Sequence, residues 1–332
     1  MREIYFFLIN LRWHYQLFIL SGCFLFGGLF SDTMQWDYFL THLLFVHLLL
    51  FGGATAYNTY WDKDEGPVGG LRRVPPMSKW MHPASLLIQL PGLIAGWWIG
   101  LEYMLIYLIA MLMFWFYSSP LFRWKGRPLL SLVAIGISTG WCGFWLGSLS
   151  AGGDLSNPIA WAGSIGVMFI ILSMYPMSQV YQVDEDRKRG DHTFTSEYGL
   201  ENVRAFFIGS FSMGVILSSL ALIVVDLLTG ALFFLIAALS GFMAWSIFRL
   251  LKGSIDEYDR VMRIKYMTSV LFIVFIIFTL IHVHVFNMGR PVYPEIRNER
   301  FTSTQMFGMP NTYSNSNNSK NHFYVSYHTG NY

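Results

Sequence analysis

The chain has 332 residues, of which 54% are hydrophobic, 18% are aromatic and only 13% are charged. Soluble domains carry about a quarter charged residues, so the composition excludes an ordinary soluble protein. A formal net charge of +2 gives no electrostatic basis for binding nucleic acid. The two cysteines, Cys23 and Cys142, lie within apolar blocks, which excludes a disulfide scaffold and a cysteine zinc site.

Long apolar segments predict an all-α integral membrane protein, with nine transmembrane helices arranged around a central cavity. A helix needs about 20 apolar residues to cross the hydrocarbon core of a bilayer. In chain order, the candidate segments are 15–31, 38–56, 84–101, 103–119, 129–151, 159–181, 204–225, 230–251 and 267–287.

The charges between these segments predict the orientation of the chain. The connections on one side hold all the basic residues, and the alternate connections hold only acids, namely Asp32, Asp37, Glu102, Asp154 and Asp226. Because basic connections stay in the cytoplasm, the N-terminus is expected inside and, after nine crossings, the C-terminus outside. We expect a bacterial plasma-membrane protein with a membrane domain over 1–287, in contact with membrane lipid, and a polar, disordered external tail over 288–332.

Two acidic stretches lie at the predicted cytoplasmic ends of the second and sixth spans. Asn58, Asp62 and Glu65 are spaced four and three residues apart, so they share one face if the helix extends to residue 65. In the second stretch, Gln182 and Asp186 have the same helical spacing. Both stretches leave even-numbered spans and can face each other across one cavity. Asp184 is expected to point away, because two residues on a helix correspond to about 200° of rotation.

A basic stretch over 117–128 occupies the same predicted membrane depth and contains Arg123 and Lys125. Carboxylate and amide oxygens suit Mg²⁺, which takes its remaining ligands from water and phosphate. Arginine and lysine bind other phosphate oxygens, so the three stretches together favour a lipid diphosphate as ligand. Taken singly, each stretch also fits a simpler interpretation, as solvated loop acids or as a signal for topology alone.

These residues resemble the motifs of the UbiA superfamily of intramembrane prenyltransferases. Asn58 and Asp62 match the first two positions of the family's Asn-x-x-x-Asp-x-x-x-Asp motif, whose third position here is Gly66. The second motif, Asp-x-x-x-Asp followed by Gly-x-x-Thr, is matched at its last three positions, whereas its first aspartate is replaced. The residues that match or replace this second motif are Gln182, Asp186, Gly190 and Thr193, and the loop between the fourth and fifth spans is matched by Tyr117, Ser118, Pro120, Arg123, Lys125 and Gly126.

The resemblance implies transfer of a prenyl group from a prenyl diphosphate to a small lipophilic acceptor, such as an aromatic compound or a quinone precursor, with Mg²⁺ as cofactor. It implies catalytic roles for Asp62 and Asp186. The implied substrate-binding residues are Asn58, Arg123, Lys125, Gln182 and Tyr117, and the candidate metal ligands are Asn58, Asp62, Glu65 and Asp186.

The residues at positions 66 and 182 depart from the family pattern, because Gly66 and Gln182 stand where carboxylates are usual. The alternative is therefore a non-catalytic lipid-binding membrane protein or a transporter with the same fold. Transporters usually place charged residues and broken helices near the middle of the bilayer. In this chain the acids lie at the ends of the spans, and that position favours the enzyme.

Overall fold

A computed structural model describes residues 1–286, and all regular secondary structure in that range is helical. The predicted tail over 288–332 lies outside the described residues. In chain order, the helices are α1 (Arg2–Asn10), α2 (13–28), α3 (Trp36–Asp62), α4 (81–98), α5 (Leu101–Ser118), α6 (Pro128–Ser150), α7 (Pro158–Met177), α8 (Val183–Arg189), α9 (Phe194–Val225), α10 (Leu227–Phe248) and α11 (Tyr258–His284).

Within residues 1–286, seven helices are long and apolar enough to span a membrane, namely α3, α5, α6, α7, α9, α10 and α11. The prediction of an all-α integral membrane protein is thereby confirmed. The other two predicted spans correspond to α2, which ends at Gly28, and to α4, which is interrupted at residues 88–89. Pro91 accounts for that interruption, because its ring would clash with the carbonyl of Leu87 in a continuous helix. Nine spans and a cytoplasmic N-terminus stay predictions.

The helices form a closed bundle in which α2 packs against both α6 and α11, and α7 packs along α9. Glycines permit the closest approaches between backbones, as is common among membrane helices. A Cβ added at Gly27 would overlap the carbonyl oxygen of Phe144, and one added at Gly147 would overlap that of Phe24. The α2–α6 contact therefore depends on two residues without side chains.

Two helix ends determine which polar residues reach the interior of the bundle. Helix α3 ends at Asp62, because Lys63 adopts a left-handed conformation with φ of 51°. Helix α7 ends at Met177, and a separate short helix, α8, begins at Val183 after a series of turns. The two acidic stretches thus leave the membrane helices earlier than the sequence pattern predicts.

Candidate functional site

A cavity of about 270 Å³ lies inside the bundle, with walls from α2, α3 and α5 to α11. One end of the cavity is polar, and it lies where α3 and α7 end and α8 begins. The remaining wall is mainly apolar and includes five phenylalanines, Phe114, Phe211, Phe233, Phe272 and Phe275. This combination of a charged end and an aromatic, aliphatic wall suits an amphiphile with an anionic head group.

The first acidic stretch contributes Asn58 and Asp62 to the polar end of the cavity. The Asn58 side-chain amide donates to Asp62 Oδ2 over 2.7 Å, one helical turn along α3. The Asp62 carboxylate is buried and forms an ion pair with the Lys125 ammonium, and Arg123 Nη1 lies 4.0 Å from Asp62 Oδ1. The predicted association of this stretch with the basic loop is therefore present in the structure.

Glu65 does not share the face of Asn58 and Asp62, because the helix does not extend to residue 65 as that prediction required. The helix ends three residues before Glu65, whose side chain is exposed and whose backbone N–H donates to Glu185 Oε1 over 2.9 Å. The same helix end turns Asp64 into the cavity, where its carboxylate forms an ion pair with Arg189. Asp64 therefore occupies the position at the cavity that the sequence pattern assigned to Glu65.

The second acidic stretch contributes Gln182 and Asp186, which both line the cavity, whereas Asp184 is exposed as predicted. Asp186 Oδ1 accepts a hydrogen bond of 2.7 Å from Arg189 Nη2. Burial raises the pKa of the Asp186 carboxyl, and the hydrogen bond from Arg189 opposes that effect. The Gln182 side-chain amide donates to the carbonyl of Pro67 over 3.3 Å, so it connects the loops that follow α3 and α7.

Arg189 connects the two acidic stretches and was not among the predicted site residues. Its guanidinium pairs with Asp64 and Asp186, and Nε lies 3.4 Å from Asp191 Oδ2. Burial alone lowers the pKa of the Arg189 guanidinium, but the charges of Asp64 and Asp62 and the hydrogen bonds it donates raise it above the usual value. Its spacing of three from Asp186 on a helix was the available sequence signal.

Asp191 is a second site residue that the sequence pattern did not single out. Gly190 has φ of 75°, a left-handed conformation that returns the chain so that the Asp191 N–H donates to the Asp186 carbonyl over 2.9 Å. The Asp191 carboxylate then accepts two hydrogen bonds from Arg123, of 2.7 and 2.8 Å. Such a two-point contact fixes Arg123, which touches the site through Asp191 and Asp62 rather than lining the cavity itself.

Tyr117, which the resemblance implies as a substrate-binding residue, lies in the cavity wall, and its hydroxyl is 3.1 Å from that of Tyr175. Gln179 also reaches the cavity, but its side-chain oxygen accepts hydrogen bonds of 3.2 Å from the N–H and the hydroxyl of Thr195. Gln179 therefore joins the end of α7 to the start of α9. Its role is to hold these elements together at the mouth of the site.

Two further basic residues line the cavity on the side formed by α2 and α11. Arg12 donates to the Thr59 hydroxyl over 2.7 Å and to the Gly69 carbonyl over 3.2 Å, which holds the 66–70 loop against α3. The Lys265 ammonium donates to the Tyr15 hydroxyl over 2.5 Å. The sequence pattern did not single out either cation, because their partners are far away along the chain.

Four acids line the polar end of the cavity, and each forms an ion pair with a lysine or an arginine. They are Asp62, Asp64, Asp186 and Asp191. In residues 1–286, no three acidic, histidine or cysteine side chains are grouped so that they alone could hold a metal ion. Mg²⁺ commonly takes only one or two carboxylates and completes its shell with water and substrate phosphate. The donor set therefore fits Mg²⁺ that arrives with a phosphorylated ligand.

Comparison with known proteins agrees with this architecture. The sequence profile of the UbiA prenyltransferase family matches residues 17–270. A UbiA homolog from Archaeoglobus fulgidus, solved with GPP and Mg²⁺, has 20% identity and a TM-score of 0.63 over 84% of this chain and 100% of its own. The same homolog solved with DMAPP and Mg²⁺ has 19% identity and a TM-score of 0.62, over 83% of this chain and 99% of its own.

A structure described for digeranylgeranylglyceryl phosphate synthase has 18% identity and a TM-score of 0.56, over 83% of this chain and 98% of its own. No curated protein sequence matches the chain. At these levels of identity the likeness between structures establishes the fold alone.

Proposed function

The chain belongs to the UbiA prenyltransferase family, and on that premise we propose that it transfers a prenyl group from a prenyl diphosphate to a lipophilic acceptor within the membrane. The observation that carries this proposal is a cavity that has both a charged end and an aromatic wall. Asn58 and Asp62 enter it from one membrane helix, and Asp186 enters it from a separate short helix. The diphosphate fits the charged end, and the prenyl chain fits the apolar wall.

Asn58, Asp62 and Asp186 are the residues we assign to Mg²⁺, with Asp64 in place of Glu65. Gln182 offers an uncharged oxygen where the family usually has a carboxylate, and its amide nitrogen is held by the Pro67 carbonyl. Held by these residues, the ion would supply positive charge that offsets the charge developing on the diphosphate as a leaving group. The two homolog structures solved with Mg²⁺ and GPP or DMAPP support Mg²⁺ as the cofactor by analogy.

Lys125 and Arg189 would change partners when the substrate enters. Lys125 pairs with Asp62, and Arg189 pairs with Asp64 and Asp186. Once these acids act as ligands, both cations become available for the diphosphate oxygens, where charge-assisted hydrogen bonds hold the leaving group. Arg123 stays fixed by Asp191 and positions the loop that carries Lys125.

The wall of the cavity would protect the allylic cation that forms when the diphosphate leaves. Water would capture such a cation, so its exclusion is part of the chemistry. Phe233 on α10, together with Phe272 and Phe275 on α11, presents aromatic rings to the cavity, and ring faces attract positive charge. Tyr117 and Tyr175 add two hydroxyls at the polar end.

We place the site at the cytoplasmic surface of a bacterial plasma membrane. The basis is the sequence, in which the connections on one side carry the basic residues and the alternate connections carry only acids. A reporter enzyme fused within 66–79 is expected to be active in the cytoplasm, and an external signal from that fusion would contradict this orientation.

The decisive experiment measures pyrophosphate release by the purified chain from geranyl diphosphate, with a panel of phenolic and alkylglycerol acceptors. We expect release in Mg²⁺, none in EDTA, and nearly none from Asp62→Asn, with Asp184→Asn as the exposed control. Binding of geranyl diphosphate without release, across the panel, would reject catalysis. That result would instead support the alternative of a non-catalytic lipid-binding protein, which the residues at 66 and 182 keep open.

A further inference from the structure

Lys265 is a buried cation that the proposed chemistry does not use. It lies on α11, it is only 6% exposed, and it lines the cavity. Its ammonium donates to the Tyr15 hydroxyl on α2 and lies 5.1 Å from the centroid of the same ring. Among residues 1–286, no carboxylate lies within ion-pair distance of it.

The absence of a carboxylate partner separates Lys265 from Lys125 and Arg189, which also line the cavity. Those two cations are each paired with an acid of the polar end. A charged group buried in a membrane protein is costly unless it is paired, and such residues usually mark a binding site. Lys265 therefore has no negative partner within the described residues, and an anionic ligand could supply one.

The Tyr15 hydroxyl completes a site with two donors. A phenol hydroxyl can accept a hydrogen bond and donate one at the same time. Tyr15 accepts from Lys265, and within residues 1–286 its hydroxyl makes no other side-chain hydrogen bond. The Tyr15 proton and the remaining Lys265 protons are thus free to bind oxygens of one anionic group.

The surface of α11 next to this site becomes apolar toward the interior of the bundle. Lys265 is followed along the cavity wall by Thr268, Ser269, Phe272 and Phe275, at spacings that place them on one side of the helix. A lipophilic molecule with its anion on Lys265 would extend its apolar part over the two phenylalanines. Within the described residues, Lys265 shares no hydrogen-bond or ion-pair partner with Lys125 or Arg189, the two cations assigned to the diphosphate.

We propose that Lys265 and Tyr15 bind an anionic group, a carboxylate or a phosphate monoester, on the acceptor substrate. The inference rests on the proposed function, because it identifies the second ligand as the acceptor of the prenyl group. It makes Lys265 a specificity-determining residue, one that selects acidic acceptors over neutral ones.

The test is equilibrium binding to the full chain in detergent, which needs no turnover. Two matched pairs of probes distinguish the sources of charge. One pair is 4-hydroxybenzoate and its methyl ester, and the other is an alkylglycerol phosphate and the corresponding alkylglycerol. The variants are Lys265→Met, Lys265→Arg and Tyr15→Phe, with Lys252→Met as the control, because Lys252 is an exposed lysine on the connection before α11.

We expect the wild-type chain to bind the anionic member of one pair about ten-fold or more tightly than the neutral member, as charge-assisted hydrogen bonds allow. Lys265→Met should remove that preference, Tyr15→Phe should reduce it, and Lys265→Arg should keep most of it. Lys252→Met should bind as the wild type does. Retention in the arginine variant would also show that Lys265 acts by charge and not as a base, because arginine stays protonated.

Three results would overturn the inference. The first is equal binding of both members of each pair by the wild-type chain. The second is a Lys265→Met variant that keeps the preference, and the third is a variant that loses affinity for geranyl diphosphate as much as for the acid. If Lys265→Met does not fold, the wild-type preference and Tyr15→Phe decide the question. Failure of pyrophosphate release with intact anion binding would reject the proposed catalysis while leaving this site established.

Discussion

Replacement of Arg189 by glutamine tests whether this guanidinium is the counter-ion of the two acidic stretches. The side chains of Asp64 and Asp186 are only 4% and 7% exposed, and the described residues give them no other ion-pair partner. Asp191 would keep its contact with Arg123. The variant therefore leaves two buried carboxylates uncompensated at neutral pH.

Removal of one member of a buried ion pair costs about 3–5 kcal/mol. We expect the lower end, about 3 kcal/mol, because the Arg189 side chain is 18% exposed and water screens part of its charge. In EDTA, the variant should have a clearly lower unfolding midpoint than the wild type. Lys188→Gln is the matched control, since it removes the same charge from an exposed position on the same helix.

Mg²⁺ should then rescue Arg189→Gln, because the freed carboxylates can bind the ion without competition from the guanidinium. A ligand at 100 times its dissociation constant stabilises the folded state by about 2.7 kcal/mol. The assay is the thermal unfolding midpoint in detergent, measured in EDTA and across a Mg²⁺ titration. Equal midpoints for Arg189→Gln and Lys188→Gln in EDTA, with equal shifts in Mg²⁺, would refute this account of the site.

Two other predictions rest on contacts and exposure in the structure, and a third rests on the charge pattern of the sequence. Asp186→Asn should reduce Mg²⁺-dependent pyrophosphate release to near background, while Asp184→Asn, at an exposed position on the same helix, should keep it. Equal losses in the two variants would disprove that only the Asp186 side of α8 faces the site. Gly27→Ala should lower the stability of the protein by about 1–3 kcal/mol, because the added methyl group would overlap the backbone of α6. Gly209→Ala should not, because Gly209 has open space around it. Equal thermal unfolding midpoints for the two variants would contradict this packing. A reporter fused after residue 332 should be active only outside the cytoplasm, and cytoplasmic activity would reject nine crossings.

Much of the architecture could be predicted from the sequence, because the signals are local. Apolar segments of sufficient length predict membrane helices whatever their neighbours, and seven such helices are present within the described range. The spacings of Asn58 with Asp62 and of Gln182 with Asp186 correctly placed these residues at one cavity. Membership of the UbiA family was also predicted from these motifs and is confirmed.

The exact ends of the helices could not be predicted from the sequence pattern. Lys63 takes a left-handed conformation that ends α3, so Asp64 enters the cavity and Glu65 stays outside. Both residues are acidic and adjacent, and helical periodicity alone could not tell which of them reaches the cavity, because that depends on where the helix ends. Helix α4 is also interrupted within a segment whose apolar length predicted a continuous span, because a proline breaks the helix there.

Composition and periodicity are local properties of the sequence, so they were enough to identify a membrane protein and the stretches that carry its acids and bases. The pairing of these charges, in contrast, depends on how the helices pack. Arg189 and Asp64 are 125 positions apart, and Arg123 and Asp191 are 68 apart. Lys265 meets Tyr15 across 250 positions. Electrostatic pairing depends on distance in space, which packing of the helices sets and local sequence does not encode.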